Sequence, residues 1–134
     1  MTPALEQRLV DRFPHWFDRC GDIRETAMSR GFECGDGWFD LIRCLCEKLE
    51  PLVAAAEQDS GKKFEVLQVK AKFSSLRFHP NITNDAIAAT IESAEVESRS
   101  ICEFCGDPGM PIGPTPINTR CLKHTVIMSS DKTL

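Results

Sequence analysis

The stretch "CEFCGDPGMPIGPTPINTRCLKH", residues 102–124, contains a Cys-x2-Cys pair, 15 intervening residues and a Cys-x2-His pair. Two pairs of such ligands at a separation of about 15 to 20 residues are typical of a zinc site. Each two-residue gap lets a tight turn direct both side chains at one ion. The pattern predicts a metal held by Cys102, Cys105, Cys121 and His124.

The loop between the two pairs holds four prolines and three glycines, which predicts neither a helix nor a regular strand. A loop of this composition needs an external constraint to be ordered, and a bound metal supplies one. Catalytic zinc keeps one coordination position open, whereas four protein ligands here fill a tetrahedron. We therefore predict a structural Zn²⁺ in a protein that is not an enzyme.

The end of the stretch, "TRCLKHTVIM", could begin a short helix at Cys121, which would complete a treble-clef-like zinc knuckle over residues 102–128. Such knuckles also occur in nucleases with a His-Asn-His site, where Asn118 would be the nearest candidate. His15 and His79 stand isolated in the sequence, so no second free histidine accompanies Asn118. A nuclease is therefore only a minor alternative.

The chain of 134 residues carries seven cysteines, an odd number. The cysteines outside residues 102–124 are scattered: Cys20, Cys34, Cys44 and Cys46. Without a secretory signal, this favours a reducing cytoplasm over a disulfide framework. Cys20 and Cys34 could serve a second metal, but they lack a paired motif and the roles of all four stay open. The length fits one domain over residues 1–134.

The formal net charge is −4, and its distribution is uneven. Residues 1–61 hold 7 Lys and Arg against 12 Asp and Glu, whereas the remaining residues are nearly balanced. A mildly acidic chain is a poor candidate for non-specific duplex binding, because phosphate contacts need a basic surface. The sequence contains no apolar run of about 18 residues, so it predicts no membrane-spanning helix.

Helical periodicity recurs along the chain. Residues 3–13 are predicted to form a first helix, and "DIRE" from Asp22 predicts the start of a second one that Gly31 would end. Thr83 or Asn84 is the predicted cap of the last helix. One face of that helix is apolar or small: Ile87, Ile91, Ala94, Ser98 and Ile101. It leads directly into Cys102.

The longest helix is predicted to begin at an Asp36 cap and to kink or split near Glu50, because Pro51 follows. Its apolar residues recur at helical spacing and predict a core stripe: Trp38, Leu41, Ile42, Leu45, Leu49, Leu52 and Val53. Cys46 falls at the edge of the stripe and Cys44 on the opposite side, so the two cannot share a ligand site.

The period changes to two in "FEVLQVKAKF", residues 64–73, which predicts a strand. Ser74 and Ser75 are the expected turn, and "LRFH" returns as the second strand of a β-hairpin. The predicted inward side chains are Leu67, Val69, Ala71, Phe73, Leu76 and Phe78. The fold class is therefore α+β, with helices packed on a two-stranded antiparallel hairpin and a zinc knuckle at the C-terminus.

The outward face of this hairpin carries Lys70, Lys72 and Arg77. A row of cations on a strand can simply be a solvated face that discourages edge aggregation. It can also be a patch that binds an anion or a partner. Both interpretations stay open, and we take Lys70, Lys72 and Arg77 as the candidate partner-binding residues.

Four segments together resemble a family of small proteins from tailed bacteriophages and prophages: "GFECGDGWFDLIRCLCEKLEPL", "VLQVKAKFSSLRF", "IESAEVES" and "CEFCG…TRCLKH". The resemblance runs from about Gly31 to His124. The family pattern has two glycines in the hairpin turn, where this chain has Ser74 and Ser75. Serine adopts positive φ poorly, so the turn here is expected to differ.

The resemblance implies expression in the cytoplasm of a bacterial host, and small phage proteins of this type commonly act by binding. The first functional hypothesis is therefore a non-enzymatic, zinc-stabilised phage accessory protein that binds a host protein, such as a component of the CRISPR defence. The alternative is a nucleic-acid-binding module that uses the basic hairpin face and the knuckle. The identity of the partner and the oligomeric state stay open.

Overall fold

A computed structural model of the protein describes residues 1–17, 31–112 and 118–121. Within these ranges the chain has the predicted α+β fold, in which helices accompany a two-stranded antiparallel hairpin. The elements in chain order are α1 (Pro3–Arg12), α2 (Phe39–Ser60), β1 (Val66–Lys72), β2 (Ser75–Pro80), α3 (Asp85–Ser98), β3 (Met110–Ile112) and β4 (Asn118–Arg120). The helix expected between Asp22 and Gly31 lies outside the described residues.

Helix α1 matches the expected segment 3–13 to within one residue, and its inner side buries Leu9. The start of α2 differs from the prediction, because the Asp36 side chain does not cap it. Asp36 begins a 3₁₀ turn, Asp36–Trp38, and its Oδ1 accepts a 2.6 Å hydrogen bond from the backbone N–H of Thr2. Asp36 therefore anchors the start of α1 rather than that of α2.

A kink or a split was expected near Glu50, and the split is wrong, because helix α2 continues through Pro51. Proline removes one backbone donor from a helix, but Pro51 lies on the exposed side. Leu49 and Val53 on the other side remain buried. The apolar stripe therefore holds the helix together until Gly61 ends it with a left-handed φ of 72°.

The hydrophobic core is formed mainly by α2, the hairpin and α3. Its largest fully buried side chains are Trp38, Phe64, Phe78, Leu9, Ile42, Leu45, Leu49, Leu76, Ile87, Val66 and Val69. The predicted α2 stripe is buried except for Leu52, which is half-buried. Helix α3 begins as predicted, since Asn84 Oδ1 accepts a 2.9 Å hydrogen bond from the N–H of Ile87.

Strands β1 and β2 form the predicted hairpin, but its turn lies one residue earlier than expected. Lys72 pairs with Ser75, which leaves Phe73 and Ser74 as a two-residue loop with φ of 51° and 66°. Positive φ at both loop positions is the type I′ geometry that matches the twist of the strands. The inward placement of Phe73 is therefore wrong: its side chain is 60% exposed, whereas Ser74 is fully buried.

A β-bulge changes the inward set at the start of β1. The register shifts between Val66 and Gln68, which makes Leu67 the extra residue. A bulge reverses the faces of the residues before it, so Val66 is buried and Leu67 only half-buried. The other predicted inward positions hold, with Val69, Leu76 and Phe78 buried and Ala71 half-buried.

Helix α3 occupies the outer edge of β2. The N–H of Leu76 donates to Ser98 Oγ at 2.8 Å, and the N–H of Phe78 donates to Glu95 Oε2 at 3.1 Å. Two backbone donors that would otherwise face outward are thus satisfied by side chains of α3. The buried Ser98, an unusual residue for a core face, is explained by this role.

The edge of β1 is occupied by the segment before α2. The N–H of Glu33 donates to the carbonyl of Val69 at 3.0 Å, and the N–H of Ala71 donates to the carbonyl of Glu33 at 3.0 Å. Glu33 is thereby bridged in parallel to Lys70. Directly opposite residues share a face, so Glu33 and Lys70 stand side by side.

The Pro/Gly-rich loop contains a short strand, β3, which pairs antiparallel with β4. The prediction that this loop holds no regular strand is therefore wrong. Pro111, the partner of Thr119, lacks a donor for the ladder. A pair only three residues long tolerates this loss, because few ladder bonds depend on it.

Candidate metal centre

A tight turn at the start of the knuckle positions the first two cysteines. The N–H of Gly106 donates to the carbonyl of Cys102 at 2.9 Å, and the N–H of Cys102 donates to the carbonyl of Asp107 at 2.8 Å. Gly106 has a left-handed φ of 85°, which glycine adopts readily because it has no β-carbon. The turn brings the sulfurs of Cys102 and Cys105 together, as the two-residue gap predicts.

Cys121 directly follows β4 and supplies the third sulfur. The Sγ atoms of Cys102, Cys105 and Cys121 all lie within 4.8 Å of one another, and those of Cys105 and Cys121 are 3.6 Å apart. Sulfurs about 2.3 Å from a tetrahedral zinc are about 3.8 Å apart. The three thiols therefore have the spacing that one metal ion requires, with Cys102 and Cys121 buried and Cys105 exposed.

The surroundings of Cys105 oppose the ionisation of its thiol. A hydrogen bond with the backbone of Asp107 lowers the pKa of Cys105. Partial desolvation and the neighbouring thiols Cys121 and Cys102 together outweigh this effect and raise the pKa to about 11. A bound metal cation would favour the thiolate over the thiol, since a coordinated thiol is deprotonated. The donor set suits a soft metal ion rather than Mg²⁺ or Ca²⁺, which prefer oxygen ligands.

The knuckle is supported by a Gly-Asp-Gly run at residues 35–37, a role that the sequence interpretation missed. The N–H of Gly37 donates to the carbonyl of Glu103 at 2.8 Å. A β-carbon on Gly37 would lie 2.1 Å from the carbonyl oxygen of Cys102, and one on Gly35 would lie 2.1 Å from that of Glu103. Glycine is thus required at both positions by the close approach of two backbones.

Two side chains complete this junction. Trp38 Nε1–H donates to the carbonyl of Ile101 at 2.9 Å, immediately before Cys102. Glu103 is buried, and its Oε2 accepts a 3.2 Å hydrogen bond from the N–H of Gly35. The carboxylate next to the first cysteine in sequence is therefore directed at the backbone before α2.

The fourth predicted ligand, His124, lies outside the described residues, as do Cys20 and the helix expected from Cys121 onward.

Burial raises the pKa of the Cys34 thiol to about 12 and also raises the pKa of Cys46. Both thiols therefore stay protonated at neutral pH. The part of the chain that the structure describes contains no further group of three Cys, His or acidic residues that could hold a metal.

The hairpin register brings the three candidate partner-binding residues to one face. Lys70 pairs with Arg77, and Lys72 immediately precedes the turn. Lys70 and Arg77 are half-buried, whereas Lys72 is exposed with its Nζ 5.5 Å from the centroid of the Phe73 ring. Glu33, beside Lys70, offsets part of the positive charge of this face.

Several large apolar side chains are exposed, and two of them, Phe104 and Met110, adjoin β4. The large exposed ones in the described ranges are Phe73, Val96, Phe104 and Met110. Met110 pairs with Arg120, whose guanidinium carbon lies 5.5 Å from the centroid of the Phe104 ring. The residue after Phe73 accepts a hydrogen bond from Thr119, so the hairpin tip reaches the same strand. Sequence reasoning missed this surface, because it joins residues that are distant in the chain.

No protein-family model, curated protein or solved structure matches this chain. Across residues 1–17, 31–112 and 118–121, none of the helices combines the length and the apolar character needed to cross a membrane. The role of the protein is therefore inferred from its own residues.

Proposed function

We propose that the protein is a non-enzymatic, zinc-stabilised phage accessory protein that binds a host protein. The observation that carries this proposal is the exposed surface beside β4, where Phe104 and Met110 adjoin Arg120. The exposed Phe73 lies at the hairpin tip, next to Ser74, which accepts a hydrogen bond from Thr119 of the same strand. Aromatic residues, Met and Arg are the residue types enriched at the centre of protein interfaces. Lys70, Lys72 and Arg77 lie on one face of the hairpin, Lys72 beside Phe73, and they favour a partner with an acidic surface.

Zinc is the metal we assign to the cysteine cluster, with His124 as the fourth ligand. The Cys-x2-Cys and Cys-x2-His pairs and the spacing of the three sulfurs support this assignment. Four protein ligands leave no position for a catalytic water. The metal then has a structural role, which agrees with its place between the segment before α2 and strand β4.

The phage origin and the host partner are supported by the sequence resemblance over residues 31–124. A host defence component, for example of a CRISPR system, is the partner class that this resemblance favours. The cytoplasm of the infected bacterium is the corresponding location, and a reducing compartment also suits a cluster of uncrosslinked cysteines.

A second candidate function is the binding of single-stranded nucleic acid. Two exposed aromatic rings, Phe73 and Phe104, each lie 5.5 Å from a cation, Lys72 and Arg120. Proteins that bind single strands combine stacking aromatic residues with positive charge. The net charge of −4 weighs against this function, because binding a phosphate backbone requires a basic surface.

The two functions can be separated by affinity purification from a host lysate and by titration with short labelled single-stranded DNA and RNA. Protein binding predicts a stoichiometric protein partner that is lost with Phe73→Ser. The matched control is Val96→Ser, which replaces an equally exposed apolar residue on α3. Salt-dependent oligonucleotide binding without such a partner would replace the first function by the second.

A further inference from the structure

The hairpin turn adopts a conformation that its own residues do not favour. Both loop residues, Phe73 and Ser74, have positive φ, where Asn and Gly are preferred. Ser74 is fully buried, and its hydroxyl has no hydrogen-bond partner in the part of the chain that the structure describes. Something outside the turn must therefore stabilise this conformation.

The buried Thr119 supplies that contact. Its Oγ1–H donates to the carbonyl oxygen of Ser74 at 2.7 Å. Its own carbonyl accepts a 3.0 Å hydrogen bond from the N–H of Glu103. Thr119 lies two residues before Cys121, and Glu103 directly follows Cys102. Thr119, which holds the turn, is therefore linked to two of the three clustered cysteines: to Cys121 along the chain and to Cys102 through the hydrogen bond with Glu103.

We propose that metal binding at the cysteine cluster controls the conformation of the hairpin tip through Thr119. With the metal bound, β4 is fixed and Thr119 holds Ser74, so Phe73 is presented in one orientation. Without the metal, β4 loses its anchor at Cys121 and the turn relaxes to conformations with negative φ. This device rests on the proposed metal site, and it would make the partner surface dependent on metal loading.

The test is fluorine NMR of the full chain with para-fluorophenylalanine at position 73. Zinc-loaded protein should give one resonance. Removal of the metal should shift it towards the position of an unstructured peptide, and one equivalent of Zn²⁺ alone should restore it. An unchanged resonance in stripped protein would overturn the proposal. A failure to bind zinc at all would overturn both the device and the proposed metal site, so the two failures are distinguishable.

Variants separate the device from general unfolding. Thr119→Val should keep one zinc per chain but move the Phe73 resonance towards the stripped position, and Thr119→Ser should restore it. The control is Thr90→Val on α3, which also removes a hydroxyl that donates to a backbone carbonyl, at 2.8 Å. Identical resonances for zinc-loaded Thr119→Val and the parent would refute the role of Thr119.

A second substitution keeps the proposal testable if Thr119→Val does not fold. Glycine adopts positive φ freely, so Ser74→Gly should hold the turn with less help from Thr119. The resonance of Phe73 in stripped Ser74→Gly protein should then stay closer to the zinc-loaded position than it does in the stripped parent. An equal or larger shift in the variant would contradict the proposed coupling.

Discussion

The indole N–H of Trp38 donates a 2.9 Å hydrogen bond to the carbonyl of Ile101, 63 residues later in the chain. Trp38 is completely buried and immediately precedes α2. Ile101 immediately precedes the first cysteine of the knuckle. The bond therefore connects the segment that carries the cysteine cluster to the hydrophobic core, so a change in one should affect the stability of the other.

The first prediction concerns metal content. After dialysis, elemental analysis should find one zinc per chain. Cys105→Ala should lose this zinc, because the substitution removes one of its ligands. Cys105 is exposed, so the variant should still fold. Cys44→Ala, at a half-buried site on α2, is the matched control and should retain the metal. Stoichiometric zinc in Cys105→Ala protein would defeat the ligand assignment.

The first prediction extends to the fourth ligand, His124, which is tested by two substitutions at one position. His124→Cys should keep the zinc and the thermal stability, since closed tetrahedra form equally with three or four cysteines. His124→Ala should weaken zinc binding, and chelation should lower the melting temperature of the parent. Unaltered zinc affinity in His124→Ala protein would show that another group completes the site.

The second prediction uses the close approach of two backbones. Gly37→Ala should lower the free energy of unfolding by roughly 2 to 4 kcal/mol, because its β-carbon would lie 2.1 Å from the carbonyl oxygen of Cys102. Gly61→Ala is the control, since a β-carbon there meets nothing within 4 Å. Its left-handed φ should cost only about 1 to 2 kcal/mol. Urea unfolding of both variants measures the difference, and equal losses would argue against a steric requirement at Gly37.

The third prediction concerns Ser98, the acceptor for the buried N–H of Leu76. Ser98→Ala should destabilise the protein by about 1 to 3 kcal/mol, the cost of leaving a buried donor unsatisfied. Ser93→Ala, on the exposed side of the same helix, should change stability by less than about 0.5 kcal/mol. Thermal or urea unfolding suffices. A Ser98→Ala variant as stable as the Ser93→Ala control would mean that water or another group replaces the hydroxyl.

The fourth prediction concerns alkaline pH. Burial raises the pKa of Cys34 from 9.0 to about 12, so the thiol is neutral in both folded and unfolded chains below pH 9. Between pH 9 and 12 only the unfolded chain loses the proton, and the free energy of unfolding falls by up to about 1.4 kcal/mol per pH unit. Cys34→Ala should show a shallower decline in urea unfolding between pH 9 and 10. Parallel declines in variant and parent would exclude Cys34 as a source of the pH dependence.

The fifth prediction concerns charge on the hairpin. Replacing Lys70, Lys72 and Arg77 together by Glu should slow association with the partner and weaken its salt dependence. The circular dichroism spectrum should stay unchanged, because none of the three side chains belongs to the core. The charge-matched control replaces three exposed lysines outside this face: Lys48, Lys62 and Lys63. Unchanged association of the folded hairpin variant would remove this face from the binding surface.

Local patterns were sufficient to predict much of the fold. The apolar stripe of α2, the Asn84 cap of α3 and the existence of the hairpin all follow from spacing and side-chain chemistry within short windows. The clustering of Cys102, Cys105 and Cys121 was predictable for the same reason, since paired ligands at fixed gaps have few other uses.

The features that sequence reasoning missed depend on contacts between distant segments. Phe73 was expected to point inward because the alternation continues to it, yet the turn begins there and Thr119 holds the next residue from 45 positions away. The requirement for glycine at position 37 arises only where that backbone meets the knuckle. Pro51 was expected to kink or split α2, and the helix does not split because buried neighbours outweigh one missing hydrogen bond.

Both long edges of the hairpin are already in use. On β2, the side chains of Ser98 and Glu95 accept hydrogen bonds from the backbone N–H groups that point away from β1, and Pro80 at its end has no N–H. On β1, the backbone of Glu33 is hydrogen-bonded beside Lys70. Many recognition domains bind an extended peptide as an additional strand, which requires an open row of backbone groups. Because these contacts occupy part of each edge, the hairpin is a poor template for an added strand, which also helps to protect it from edge-to-edge aggregation. If the protein binds a partner as proposed, specificity would therefore be encoded mainly in side chains, and substitutions at the tip should alter partner choice while leaving the scaffold intact.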